Sequence, residues 1–136
     1  MKVKLITAIS LIFIFLCAYL YLFAIIVVVD TRNVNIDISE LTCSSLNKTW
    51  EFGHIRAEQW KLRLITLKPG GIVLCNIKTS GYQQREFVAI GYFYHTQKAL
   101  SLELKNSGDG GVFIVASTTR WDNIKSKPSN YVLEPY

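Results

Sequence analysis

The sequence predicts a mainly β domain, an antiparallel sandwich or small barrel of about eight short strands, preceded by one transmembrane α-helix. An uncharged run of 25 residues, 5–29, predicts the helix. Beyond this run, apolar residues recur at every second position, which is typical of half-buried strands. Two segments with paired glycines, 68–71 and 106–111, separate apolar stretches and indicate hairpin turns. The 107 residues from 30 to 136 are enough for one small domain.

The uncharged run is predicted to cross a membrane as a signal-anchor helix. A hydrocarbon core of about 30 Å needs roughly 20 helical residues, and residues 5–29 exceed that length. A cleaved signal peptide is the alternative, with Ala18 and Ala24 as the weak points, but its apolar region is usually about 7–15 residues long. The predicted anchor residues are large and apolar or aromatic: Leu5, Phe13, Phe15, Tyr19, Tyr21, Phe23 and Val29.

The charges on either side of the run predict its orientation. Lys2 and Lys4 precede it, while Asp30 and Arg32 follow it and nearly cancel. By the positive-inside rule, residues 1–4 are expected in the cytoplasm and the domain 30–136 in the periplasm or outside the cell. Because only residues 31–33 separate the run from the first predicted strand, the domain is expected to act close to the bilayer.

Period-two alternation predicts the strands of the exported part. Strand 87–94 is apolar on both faces and is expected to be central, whereas Pro135 is expected to end the pairing of an edge strand. Lys61 and Arg63 are expected to share a polar, solvated strand face, and residues 42–47 to form a polar loop. The predicted strands are 34–38, 50–52, 60–67, 72–77, 87–94, 100–105, 112–116 and 131–133.

The cysteines predict one disulfide and an oxidising compartment. Cys17 lies in the apolar run, which leaves Cys43 and Cys75 as the pair in the exported domain. Two separate buried thiols are one alternative, and a zinc site with His54 and His95 is another. Because the spacings are irregular and no Cys-x-x-Cys motif occurs, no metal and no cofactor are expected.

The sequence contains no recognisable catalytic motif. Histidine is the residue type best suited to acid–base catalysis near neutral pH, so an envelope hydrolase would have to use His54 or His95. The glutamates are scattered, and no spacing sets two of them together as a glycosidase pair. The glycines at 106–111 join two strands, which favours a hairpin turn over a phosphate-binding loop.

Aromatic residues mark the candidate interface. Tyr92 and Tyr94 point to one side of a predicted strand, and at least one aromatic face of that strand needs cover from the second sheet or from a partner. Trp121 stands beside Arg120 in a polar segment, a composition typical of interface hot spots. Packing of a closing loop is the alternative explanation for Trp121.

The domain beyond residue 30 carries 13 Lys and Arg against 9 Asp and Glu, a net charge of +4. This favours anionic lipid head groups, cell-wall polymers or an acidic protein, and no nucleic acid is expected as a partner. The expected function is that of a membrane-anchored, non-enzymatic accessory or assembly protein whose exported domain binds another envelope protein. An immunity or inhibitor protein against a toxin or hydrolase, a lipid- or glycan-binding module, and a hydrolase are the alternatives. The oligomeric state is not predicted.

Overall fold

The computed structural model describes residues 1–68, 70–91, 93, 97–120, 122 and 124–135. Within them, one helix is followed by ten strands, which form two five-stranded sheets. The elements are α1 (Lys2–Phe23), β1 (Ala24–Asp30), β2 (Ile38–Ser45), β3 (Lys48–Glu51), β4 (Trp60–Thr66), β5 (Val73–Thr79), β6 (Tyr82–Ile90), β7 (Gln97–Asn106), β8 (Val112–Arg120), β9 (Ser129–Val132) and β10 (Glu134–Pro135). Sheet A has the order β4-β1-β7-β8-β9, and sheet B has the order β10-β6-β5-β2-β3.

The two sheets pack face to face as a sandwich around one hydrophobic core. Alternate residues of the strands point inward, so both sheets contribute to the core. The prediction of a mainly β domain after one apolar helix is confirmed, in its sandwich form. The largest buried side chains include Ile25, Leu100 and Ile114 of sheet A, Ile38, Ile77 and Phe87 of sheet B, and Phe52 and Phe93 of the connections.

The uncharged run is divided between two elements. Helix α1 ends at Phe23, and Ala24 already has the extended dihedral angles φ −81° and ψ 141°. Residues 24–30 form β1, a central strand with β4 antiparallel on one side and β7 parallel on the other. The predicted end of the span at Val29 is therefore too late, since Val29 is fully buried in the core of the domain. The β-branched sequence from Ile25 to Val29 explains the change, because such residues favour strands.

Helix α1 is exposed along its length and has the dimensions of a membrane span. It has 22 residues and a mean hydropathy of 2.5, so it is long and apolar enough to cross a membrane. At about 1.5 Å per residue it reaches about 33 Å, slightly more than a hydrocarbon core of about 30 Å. Every predicted anchor residue except Val29 belongs to it.

The end of α1 is bound to the domain without a linker. The amide of Leu67 donates a hydrogen bond to the carbonyl of Phe23 (2.7 Å), which extends the β4–β1 pairing onto the helix. Lys98 Nζ donates to the carbonyl of Tyr21 and lies 5.1 Å from the centre of the Tyr21 ring. This lysine satisfies a carbonyl that the last helical turn leaves open. Partial burial lowers the pKa of Lys98.

Strand directions give the sandwich two distinct ends. The α1 end is the end at which β1 begins, next to Phe23. The parallel or antiparallel pairing of the strands fixes the end at which each connection lies. Four connections lie at the α1 end, namely β2–β3, β4–β5, β6–β7 and β8–β9, and the remaining connections lie at the opposite end. Whatever lies at the α1 end is close to the membrane if α1 crosses it.

Several strand predictions need correction. Residues 34–37 do not form a strand, and Val34 is buried from a turn in which its amide bonds to the carbonyl of Thr31 at 3.2 Å. Strand β2 instead includes most of the segment predicted as the polar loop 42–47, since small Thr, Cys and Ser side chains alternate between the two faces. Pro135 does not end the pairing: it lies in β10, at the edge of sheet B, opposite Tyr82.

The structure contains a disulfide between Cys43 of β2 and Cys75 of β5. The two residues are direct partners in the antiparallel register, with their Cα atoms 4.1 Å apart. Both are buried in the core. Cys17 is a free, exposed thiol on α1. The disulfide and the apolar helix together are compatible with a domain held at a membrane in an oxidising compartment.

Candidate functional site

Most of the predicted interface lies outside the described residues. Tyr92, Tyr94 and Trp121 are among these, as is His95. Arg120 is described, and it is the exposed last residue of β8. Its guanidinium lies 3.5 Å from the carboxylate of Asp122, in an exposed ion pair of the kind that contributes little to stability.

The side chains of β4 are oriented differently from the prediction. Lys61 and Arg63 share a face, but it is the face of buried Ile65, turned toward sheet B. Lys61 Nζ donates to the carbonyl of Phe52, and Arg63 donates to the carbonyl of Glu51 at the end of β3. The Arg63 guanidinium also lies 5.5 Å from the centre of the buried Phe52 ring. These two cations therefore bridge the open side of the sandwich between the edge strands β4 and β3.

The opposite face of β4 is apolar and exposed. Trp60, Leu62 and Leu64 point away from the core and are 52–57% exposed. Ile26 of β1 lies beside Leu64 in the register and is 46% exposed, and half-buried Val28 lies beside Leu62. We call these five residues the β1–β4 face. Single exposed apolar residues are ordinary on protein surfaces, but a contiguous group of this kind is a candidate interaction surface.

The β1–β4 face is separated from a second apolar group on the outer side of sheet A, which half-buried Phe113 and exposed Val132 form at the β8–β9 edge. On the next strand, β7, the residues that continue the same outer face are Ala99, Ser101 and Glu103. The outer surface of sheet B exposes Val88 (37%) but is otherwise polar around a shallow cleft. The cleft is lined mainly by charged and amide side chains, including Glu40, Asn76, Lys78, Gln83 and Arg85.

A polar rim bounds the β1–β4 face at the end remote from α1. Asp30 lies opposite Trp60, and its two carboxylate oxygens accept hydrogen bonds from Nε (3.0 Å) and NH2 (2.7 Å) of Arg32. These hydrogen bonds hold the pKa of Asp30 below its usual value, although burial acts in the opposite sense. Next to them, the Asn33 amide donates to Glu103 at 3.0 Å. An apolar centre with a polar rim is the usual anatomy of a protein interface.

His54 lies at the opposite end of the sandwich from α1. Its Nε2 is 3.2 Å from Oδ2 of Asp37, and both side chains are about half exposed (58% and 48%). The other carboxylate oxygen of Asp37 accepts the Ala57 amide at 2.6 Å, which is the main reason that the pKa of Asp37 is lowered. An open cleft of about 390 Å³ borders His54, Arg56 and Gln59.

His54 and Asp37 are the residue types of two members of a catalytic triad, and they are hydrogen-bonded to each other as in a triad. Such a pair needs a nucleophile or a metal to act on a substrate. Its hydrogen bonds connect the two side chains to each other and Asp37 to a backbone amide. Across the described part of the chain, no group of three or more His, Cys, Asp or Glu side chains is placed to hold a metal ion. The arrangement is that of a surface hydrogen-bonded pair which links two adjoining connections.

The β1–β4 face is the functional candidate that the sequence analysis missed. A signal for it exists in β4, where the apolar positions change from one face of the strand to the other. Trp60, Leu62 and Leu64 are even-numbered, whereas Ile65 and Leu67 are odd-numbered. A strand that is buried on the phase of Ile65 must expose the phase of Leu64. The β1 half of the face was hidden within the apolar run.

Comparison of the chain with known proteins gives no match to a protein family, to a curated protein or to a solved structure.

Proposed function

We propose that this chain is a non-enzymatic, single-pass membrane protein whose β domain, exposed outside the cytoplasm, binds another envelope protein close to the membrane. The observation that carries the proposal is the β1–β4 face. Its apolar side chains are exposed without cover from the described chain, and it includes a tryptophan and two leucines flanked by a polar rim. Aromatic anchors surrounded by polar groups are typical of binding hot spots.

The position of the face supports a partner at the membrane. Ile26 follows the end of α1 by only three residues, which at about 3.3 Å per strand residue is about 10 Å of chain. The domain has no linker with which to reach further, because Leu67 and Lys98 fasten the helix end to it. A partner of matching chemistry is an apolar surface on another protein of the same membrane, at or just above the head groups.

The compartment follows from two supporting features. The two lysines before α1 favour a cytoplasmic N-terminus by the positive-inside rule. The buried Cys43–Cys75 disulfide fits a domain that folds in an oxidising compartment such as the periplasm. Both features favour a domain on the far side of the membrane.

Site-specific photocrosslinking tests the proposal. A photoreactive amino acid replaces Leu62 in the full-length protein in its native membrane, and a matched probe replaces Asn76 on the polar outer surface of sheet B. We expect a discrete protein adduct from position 62 and none from position 76. Substitution Leu62→Ser should weaken co-purification in mild detergent, whereas Val132→Ser, at another exposed apolar strand position of sheet A, should not.

Two results would contradict the proposal. Equal adducts from positions 62 and 76 would mean that the β1–β4 face has no special role in contact. Adducts with lipid alone at position 62 would mean that the face rests on the bilayer and is not available to a protein. The mass of the intact purified chain tests the anchor separately, because a chain that begins near residue 19 or 25 has lost α1.

A further inference from the structure

A cleft opens at the point where α1 joins the domain. It has a volume of about 230 Å³ and lies between the β2–β3 turn and the last residues of β4. The side chains that matter to its chemistry are Ser45, Leu46, Lys48, Trp50, Thr66 and Lys68. The cleft is distinct from the β1–β4 face, which occupies the outer surface of β4 and β1.

The cleft lies beside the last turn of the helix. Thr66 pairs with Ala24, and the next residue, Leu67, donates its amide hydrogen to the carbonyl of Phe23. Both Thr66 and Leu67 line the cleft. If α1 crosses the bilayer, this wall of the cleft therefore begins where the hydrocarbon ends, at the depth of the lipid head groups.

Positive charge surrounds this position. Lys48 and Lys68 are exposed on two sides of the cleft, and Lys48 Nζ donates to the Thr66 hydroxyl at 3.2 Å, which leaves it two further hydrogens. Lys98 lies at the same helix exit, against Tyr21. All 10 acidic residues of the sequence lie in the described part of the chain, and of these Asp122 alone belongs to a connection at the α1 end. The end that faces the membrane is thus the basic end.

A buried hydroxyl in the wall of the cleft has no partner. Ser45 is only 6% exposed, and its Oγ forms no hydrogen bond within the described residues. Buried polar groups in proteins are nearly always hydrogen-bonded, so an orphaned hydroxyl in a cleft wall indicates a missing ligand or water. A phosphate group offers several acceptor oxygens for a serine hydroxyl and for the lysine ammonium groups.

Resting on the proposed membrane anchoring, we propose that this cleft binds the phosphate head group of an anionic phospholipid from the leaflet that faces the domain. Lys48 and Lys68 provide the charge and Thr66 provides a hydroxyl group, while a small opening of the cleft wall at Ser45 brings its buried hydroxyl within reach of the phosphate. Leu46, which is 73% exposed at the tip of the β2–β3 turn, and the half-buried Trp50 provide apolar contacts for the glycerol and the upper acyl chains. These apolar neighbours, together with the position at the helix exit, favour a lipid over a soluble phosphate.

Native mass spectrometry of the full-length, delipidated protein in mild detergent tests this. Phosphatidylglycerol, phosphatidylcholine and soluble glycerol phosphate are titrated separately. We expect saturable binding of one phosphatidylglycerol, with much weaker binding of the other two. The double substitution Lys48→Gln/Lys68→Gln should weaken phosphatidylglycerol binding about 100-fold, at about tenfold for each charge-assisted hydrogen bond to the phosphate. The control Lys125→Gln/Lys127→Gln removes the same charge from the β8–β9 connection, which lies at the same end of the sandwich but outside the cleft, and should change binding less than about threefold.

Substitution Ser45→Ala gives a second test. It should reduce phosphatidylglycerol binding and raise the thermal stability of the lipid-free protein, because it removes a buried hydroxyl that has no partner. Equal losses in the two lysine pairs would overturn the cleft and indicate diffuse attraction, and equal binding of glycerol phosphate would indicate a site for free anions. Equal binding of phosphatidylcholine would also overturn it. None of these outcomes affects the adduct from position 62, so this proposal and the protein-binding proposal fail separately.

Discussion

The assignment of residues 24–30 to a core strand predicts a large difference between neighbouring valines. Val27 and Val29 are fully buried, whereas Val28 points to the outer face and is half-buried. Truncation of a buried valine to alanine removes two methyl groups, worth about 1.6 kcal/mol at about 0.8 kcal/mol each. The cavity that remains raises the cost to about 2–3 kcal/mol. Val28→Ala should cost less than about 1 kcal/mol.

Urea unfolding of the full-length protein in a non-denaturing detergent, followed by tryptophan fluorescence, measures these differences. The free energy of unfolding falls by about 1–3 kcal/mol for each molar of urea. Val27→Ala and Val29→Ala should therefore each lower the urea concentration at the unfolding midpoint by about 1 M or more. Val28→Ala serves as the control on the same strand. If all three substitutions leave the midpoint of the domain unchanged, residues 24–29 lie in the membrane and the assignment of β1 is wrong.

Three further predictions concern the core and the polar contacts. Replacement of Cys43 and Cys75 by alanine should lower the free energy of unfolding by about 3.7 kcal/mol in the chain-entropy relation for a separation of 32 residues, and an unchanged urea midpoint would refute this. The lowered pKa of Asp30 means that its bond to Arg32 stabilises the fold above the ordinary pKa of 3.8 and ceases to do so as the pH falls through the lower folded value. The difference in urea midpoint between wild type and Arg32→Ala should therefore be present at about pH 6 and shrink as the pH is lowered below 3.8, and a difference independent of pH would contradict it. Arg63→Ala should cost about 1 kcal/mol through loss of its contacts with β3 and Phe52, whereas no change would mean that the contacts do not persist in solution.

The sequence was informative where burial was one-sided. The alternation of Leu100, Leu102 and Leu104 with polar residues places β7 correctly, because one face of that strand is in the core and the other is wet. The same rule predicts β4 as a strand. It cannot say which face of this edge strand points inward, because apolar residues occur on both faces of β4. Contacts with β3 decide that, and they depend on the tertiary structure.

The errors in the sequence analysis have two further physical causes. A strand that is apolar on both faces has the composition of a membrane span, so the run from Ala24 to Val29 could not be divided by hydropathy alone. In β2, Cys43 and Ser45 are buried although their segment is polar in composition, because the disulfide and a close approach of the backbone fill the space. The candidate cleft was also beyond sequence reasoning, since Lys48 and Lys68 are distant in sequence and meet only through the fold.

The direct junction between α1 and β1 joins the apolar helix to a central strand of sheet A without a flexible segment between them. Leu67 donates a hydrogen bond to the Phe23 carbonyl, and Lys98 donates one to the Tyr21 carbonyl, so the end of the helix is held against the domain. A tilt or axial rotation of the helix is therefore expected to move the central strand of the sheet with it. The β1–β4 face consequently has a fixed orientation about the helix axis. If α1 crosses a bilayer as proposed, a neighbouring protein that turned the helix there would also turn the β1–β4 face above the membrane.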